Sequence, residues 1–231
     1  MKSYHLLLSA LALAPFPLYS QVTVVPATPA PVGVVTEVAR PLDPVVVRRQ
    51  MSLAPKVVIV PTPGASTVVA PAPDEVVKTT KTTTVVDTPG QPRRVYNSER
   101  SVVIVEEQNQ SRELTYVTLP VLFIKETSDL LDAESRTALE QVAGLILEIS
   151  KTEPGVRYDI EGHTSTDGTD EYNVALSAAR AQRVYDELTQ RYGVPTTALS
   201  AHGYGESFPM FPNGVEAQMQ QDRRVLLVRT N

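Results

Sequence analysis

Apolar and polar positions follow two different regimes, and the change falls near residue 114. From there on, they recur with the periods of regular structure. LTYVTLPVLFI (114–124) is dense in β-branched and aromatic residues and reads as a strand, with Pro120 marking an edge or a bulge. Leu139, Val142, Ile146 and Ile149 step by three, four and three, which is one face of a helix. Asp132 offers that helix an N-cap, and Pro154-Gly155 stops it. VRYDIEG (156–162) alternates strictly: Val156, Tyr158 and Ile160 to one side, Arg157, Asp159 and Glu161 to the other. A second helix is predicted from about Asp170 to Tyr192, with Val174, Ala178, Ala181, Tyr185 and Leu188 as its core stripe and Gly193 beyond its end. LSAHGYG (199–205) reads as a strand entering a Gly-rich turn, NGVEAQMQQD (213–222) as a short helix and RRVLLVRT (223–230) as a last strand. The order β-α-β-α-β-α-β predicts an α/β fold, a sandwich of helices on a sheet that is parallel at least in part.

Upstream of 114 the pattern is different. Residues 1–20 read as a secretory signal: Lys2, the short apolar run Leu6 to Leu13, then Pro15, Pro17 and a small residue, Ser20. Twelve of the 19 prolines fall in 21–92, and Val-Pro-rich stretches echo one another at 24–31, 59–66 and 68–73. Each proline removes a donor and fixes φ, so no ordinary helix or central strand is expected there. Residues 21–73 are read as an extended Pro/Val-rich linker, largely disordered, either a spacer or a leader without a specific task. At about 3.1 Å per residue such a segment reaches on the order of 100 Å. In 74–113, EVVKTTKTTTVVD (75–87) and RRVYNSERSVVIVEEQ (93–108) flank the turn-forming TPGQP (88–92), and the segment is read as a β-hairpin across that turn or as further linker.

Composition removes several classes. With no cysteine there is no disulfide scaffold, thiolate metal site, thiol nucleophile or lipid-acceptor cysteine. The formal charge is −5, and 116–231 holds 10 Lys and Arg against 17 Asp and Glu, so nothing resembles a nucleic-acid footprint. His163 and His202 lack an obvious third ligand, so structural hydrogen bonding is favoured over a metal, and no cofactor is expected. His163 with Ser165 does not make a catalytic triad by sequence proximity, and no enzyme activity is expected. A membrane barrel does not fit before 114 either, because the segment is too short and too rich in proline.

The polar loop HTSTDGTD (163–170) and the helix after it carry the candidate chemistry. Asn173, Ser177 and Arg180 share one helical face, expected to be largely distinct from the core stripe. A guanidinium there suits a carboxylate, and loop oxygens from Thr164, Ser165, Thr166, Asp167 and Thr169 suit an ammonium. Together they would take a small zwitterion.

IEGHTSTDGTDEYNVALSAARAQRVYDEL, then AHGYGES, then DRRV, in this order and spacing, resembles the OmpA-like C-terminal domain over about 114–231. The resemblance implies a β-α-β-α-β-(α)-β domain that binds peptidoglycan non-covalently by the diaminopimelate of its stem peptide. It implies that Arg180 holds a carboxylate and that Asn173 and Arg223 belong to the site, beside the loop hydroxyl of Thr164. The family's ammonium-binding Asp, in the motif GHTD, falls at Ser165 here, and the residue before Arg223 is Asp222 rather than Asn. A hydrogen bond to a charged group contributes roughly 1.5–3 kcal/mol against about 0.5–1.5 for a neutral one, so Ser165 predicts a loss on the order of tenfold. Asp167 turning in, or an altered stem peptide, would offset it. The expected protein is a periplasmic, cell-wall-associated module linking peptidoglycan to the outer membrane or another envelope protein. The alternative is a domain that keeps the fold, has given up the ligand and serves protein–protein interaction.

Overall fold

The computed structural model describes residues 42–59, 92–107 and 110–231. The signal segment 1–20, most of the linker and the first limb of the expected hairpin lie outside the described residues.

Two helices and four strands of the C-terminal part follow the sequence pattern closely. Helix α2 (Ala133–Thr152) is capped by Asp132, whose carboxylate accepts from Ser135 N at 2.8 Å. Leu139, Val142, Ile146 and Ile149 are all buried on its inner face. Strand β4 (Gln110–Leu119) stops at Pro120 rather than running on to 124, because proline cannot donate to the ladder. Strands β5 (Tyr158–Gly162), β6 (Leu199–Gly203) and β7 (Val225–Arg229) and helix α3 (Asp170–Asp186) complete the frame, with helix α4 (Glu216–Asp222) before β7. A single π-turn, Glu187–Arg191, extends α3.

The strands before β4 are β1 (Lys56–Ile59), β2 (Arg93–Asn97) and β3 (Val102–Glu107). The sheet order is β2-β3-β4-β7-β5-β6, with β1 also paired to β4. β7 lies antiparallel between β4 and β5, so those two point the same way and α2 must cross over between them. β5 and β6 pair directly in parallel through the α3 crossover. Val156, Tyr158, Ile160, Val225 and Leu227 pack with α2 and α3 in the larger core.

α3 sits almost on the sheet backbone. A Cβ at Gly162 would fall 2.2 Å from Ser177 O, and one at Gly203 would fall 2.3 Å from Ala178 N. Only glycine admits that approach. It also overturns the first half of the expected core stripe, while Ala181 and Leu188 are buried as expected and Tyr185 packs against the core. Val174 and Ala178 are exposed, and the buried face runs Asn173, Ser177, Arg180, Ala181, Val184 and Leu188. The polar face is therefore the inward face of the helix's first half. Backbone-to-backbone contact with β5 and β6 leaves little room for large apolar side chains there.

Two further corrections concern the region before 110. Helix α1 (Pro44–Met51) stands where extended chain was expected. Proline is at the first helical position, where its missing N–H costs nothing, and Asp43 caps it by accepting from Val45 N at 2.9 Å. Val47 and Met51 are buried in the larger core, and Tyr158 Oη donates to Met51 O at 3.0 Å. The second change is the hairpin. Residues 93–107 fold back on themselves as β2 and β3, with Asn97 opposite Val102, instead of serving as one limb. The turn is held by Asn97 Oδ1, which accepts from Arg100 N at 2.9 Å.

That hairpin closes the sheet's other face. Tyr96, Val103 and Val105 pack with Leu114, Tyr116, Phe208, Leu226 and Val228 in a second cluster. Asp159 and Glu161 point to this side, as the alternation predicts, yet both are buried. Tyr96 Oη donates to Glu161 Oε2 at 2.7 Å, and Arg94 forms an ion pair with the same carboxylate. Among the described residues no helix is long and apolar enough to cross a membrane.

Candidate ligand-binding site

The loop between β5 and α3 is held at its start by backbone bonds. His163 N donates to Arg224 O and Thr164 N to Gly205 O, both at 2.9 Å. Gly205 N in turn donates to Ser177 Oγ at 2.8 Å, which ties the turn after β6 to α3. Three segments therefore converge on one end of the parallel pair: loop 163–169, the turn after β6 and the first half of α3. Thr169 caps α3 by accepting from Tyr172 N at 3.3 Å.

Charges gather on this frame. Arg223, just past α4, donates from Nη2 to Asp167 Oδ2 at 2.8 Å and from Nε to Ser165 Oγ at 3.1 Å. It also pairs with Glu216. The bond to Glu216 first, and Asp167 after it, raises the Arg223 guanidinium above its ordinary value. Ser165 Oγ donates to Asp167 Oδ2 at 3.3 Å. Asn173, buried on α3, donates from Nδ2 to Asp167 O at 2.8 Å and to the Glu206 carboxylate.

Arg180 forms the other pole. It is 8% exposed and donates from Nε to Thr127 O at 3.0 Å, with its guanidinium 5.1 Å above the Phe123 ring. Burial lowers it from its ordinary value, and the nearby Arg223 charge adds to that. Among the described residues no carboxylate pairs with it. A buried guanidinium lacking an anion is costly, and a ligand carboxylate would relieve that cost.

All six residues singled out from sequence, Thr164, Ser165, Asp167, Asn173, Arg180 and Arg223, lie in this neighbourhood. Ser165, Asp167, Asn173 and Arg223 are joined by hydrogen bonds. Arg180 stands apart from that network and senses Arg223 through its charge. Thr164 Oγ1 is buried, with no hydrogen-bond partner among the described residues. Sequence reasoning missed Glu206, Glu216, Phe123 and Thr127, which reach the site from three other segments. The one-dimensional signal for Glu206 was its place directly after the Gly-rich turn.

The two histidines do different things. His202 Nδ1 contacts Asp159 Oδ1 at 2.6 Å, the structural bonding expected of it. Among the described residues neither His163 ring nitrogen has a hydrogen-bond partner, contrary to expectation: Glu161 lies 3.7 Å away, and Tyr96 and Tyr204 enclose the ring at 5.3 and 5.7 Å between centroids. Burial first, and the Arg224 charge next, push His163 down to about 4.

The architecture is that of a layered α/β domain with a buried guanidinium, Arg180, on α3 and a hydrogen-bonded network of Ser165, Asp167, Asn173, Glu206 and Arg223 at the start of the same helix. Residues 122–223 match the OmpA family, and the C-terminal part of this chain is an OmpA-like domain. An outer membrane protein of Gluconacetobacter diazotrophicus is 35% identical over 117 residues, covering 48% of this chain and 29% of that protein. The peptidoglycan-associated lipoprotein of Legionella pneumophila is 41% identical over 78 residues, 34% of this chain and 44% of that protein. Outer membrane porin F of Pseudomonas aeruginosa is 40% identical over 80 residues, 35% of this chain and 23% of that protein. The chain thus spans less than half the length of each of these three relatives. Among solved structures, the peptidoglycan-associated lipoprotein from Burkholderia pseudomallei matches 48% of this chain and 88% of its own at 31% identity, with a TM-score of 0.42.

Proposed function

We propose that this is an exported envelope protein whose C-terminal domain binds peptidoglycan non-covalently, gripping a diaminopimelate-type stem peptide. Its working place is the periplasm, where it links the cell wall to the outer membrane or to a partner in the envelope. The observation that carries the reading is Arg180: a buried guanidinium with no carboxylate partner among the described residues, across from a loop lined with acidic and hydroxyl groups. In this reading Arg180 takes the free carboxylate of diaminopimelate. Asn173 and Thr164 hold the loop and the ligand backbone, and Arg223 positions Asp167 and Ser165. No bond is made or broken.

Co-sedimentation of the full chain with purified peptidoglycan tests it. Binding is expected for the native sequence and its loss for Arg180→Ala; equal binding by both would refute the reading.

A second reading draws on the surface near α1, where Val45 is 76% exposed and Val57, on β1, 56%. Apolar side chains there suit a protein partner independent of the wall. Capture of an envelope partner that survives muramidase digestion and Arg180→Ala would favour it.

A further inference from the structure

The position where the family carries its ammonium-binding Asp holds Ser165, and the nearest carboxylate in sequence, Asp167, is already committed to a cation. We propose that Glu206 is the residue that receives the ligand's ammonium in this chain; the inference rests on the peptidoglycan reading and names a specificity determinant within it.

Three carboxylates border the loop. Asp167 and Glu216 share the Arg223 guanidinium. Asp167 is besides largely open to solvent, which screens it. Ser165 spends its hydroxyl hydrogen on Asp167 and a lone pair on Arg223. Glu206 differs from all of these. Its bond comes from a neutral amide, Asn173 Nδ2, and among the described residues no Lys or Arg pairs with it. Asn173 is itself buried and fixed on its other side by Asp167 O at 2.8 Å. Glu206 is therefore an anchored carboxylate with no cation partner and, among the described residues, one oxygen without a hydrogen bond.

The second pole confirms the direction of the site. Asn173 and Arg180 are two turns apart on α3, about 10.5 Å along its axis. Helical side chains lean toward the N-terminus, so the long arm of Arg180 sweeps back toward Asn173 and narrows that gap. Arg180 is more than nine-tenths buried, and only its Nε is bonded to protein among the described residues. A cation pole on one side of Asn173 and an uncompensated anion on the other suit the head group of an α-amino acid, with its carboxylate at Arg180 and its ammonium at Glu206.

The test is titration of the full chain with a diaminopimelate-containing muropeptide and with the same muropeptide acetylated on the free amine of diaminopimelate. Acetylation should weaken binding of the native sequence by about tenfold. Glu206→Gln keeps an acceptor for Asn173 and removes only the charge. It should bind the native muropeptide about tenfold more weakly and no longer distinguish the two ligands. Asp167→Asn should still distinguish them. Adding Ser165→Asp to Glu206→Gln should restore the distinction, which a misfolded variant would not allow. If Glu206→Gln distinguishes the ligands as the native chain does, or Asp167→Asn abolishes the distinction, Glu206 is not the acceptor. If the native chain binds neither muropeptide, the peptidoglycan reading falls and Glu206 falls with it.

Discussion

Arg180 and Arg224 are equally buried, and their surroundings assign them different work. Arg224 lies under the β2–β3 hairpin. It donates to Phe208 O at 3.1 Å and to Asp222 O at 3.3 Å, and pairs with Asp222 at 3.5 Å. Asp222 in turn accepts from the backbone N–H groups of Met210 and Phe211. The Tyr96 ring lies 5.9 Å from the guanidinium. On that side Arg224 is paired with Asp222, and Arg94 with Glu161. Arg180, at the mouth of the loop, has a carbonyl and an aromatic face and no counter-ion among the described residues. Arg224 is closed off by its own chain and holds the fold; Arg180 has no such closure, and the proposed function gives it a ligand carboxylate.

The largest effect that separates the two sides comes from cutting the chain at 114. The second cluster then loses Tyr96, Val103 and Val105, and Glu161 loses Arg94 and Tyr96. Three large side chains at about 2 kcal/mol each, plus a stranded buried carboxylate, come to on the order of 5–10 kcal/mol, which rivals a domain's whole stability. Denaturant unfolding of 114–231 should show no cooperative transition like that of the full chain. An unchanged midpoint would mean the hairpin is ornamental.

Next in size is Arg224→Ala, which strands Asp222 inside the domain. A loss of about 3–5 kcal/mol is expected, against less than about 1 kcal/mol for Arg180→Ala, which strands no anion. Thermal melts of the two variants side by side read the contrast directly.

The pH dependence follows. His163 faces Glu161, Arg94, Arg224, Tyr96 and Tyr204, and is held neutral with its pKa at about 4. The unfolded chain protonates it near 6.5, so stability is lost as pH falls from about 6.5 toward 4 and then levels, by about 3 kcal/mol. Asp159, raised by burial, works in the opposite direction at the acid end. The clean readout is therefore the difference in melting temperature between the native chain and His163→Phe across pH 4–7. A constant difference would contradict the assignment. The smallest expected effect is Ser165→Asp, which adds a second carboxylate beside the one that Glu206 already supplies and should tighten muropeptide binding by less than about tenfold, as titration against the native chain would read.

Much of the helix-side architecture was legible because one-dimensional periods report which side a residue faces. The stripe Leu139, Val142, Ile146, Ile149 and the alternation of 156–162 needed nothing more. A period does not report what covers the other side. Asp159 and Glu161 read as the side opposite Tyr158 and Ile160, and only the fold brings Tyr96 and Arg94 to Glu161 from more than sixty residues away. Average proline density hid α1, since the ten residues from 45 to 54 contain no proline and sit behind an N-cap Asp43. In the site, Asn173 and Arg180 were legible from helical spacing together with the family resemblance. Glu206, Phe123 and Thr127 were not, because they join it only through the turn after β6 and the loop before α2. The expected separation of that polar face from the core failed at Val174 and Ala178. Gly162 and Gly203 let the helix approach so closely that its inward face there is polar.

The most direct measurement is calorimetric titration of the full chain and of Arg180→Ala with a diaminopimelate-containing muropeptide, with a thermal melt of each. The account predicts binding by the native chain, a loss on the order of tenfold to a hundredfold in the variant, and nearly coincident melts. Equal affinity in both would contradict it, and Arg180 would then be one more buried charge serving the fold.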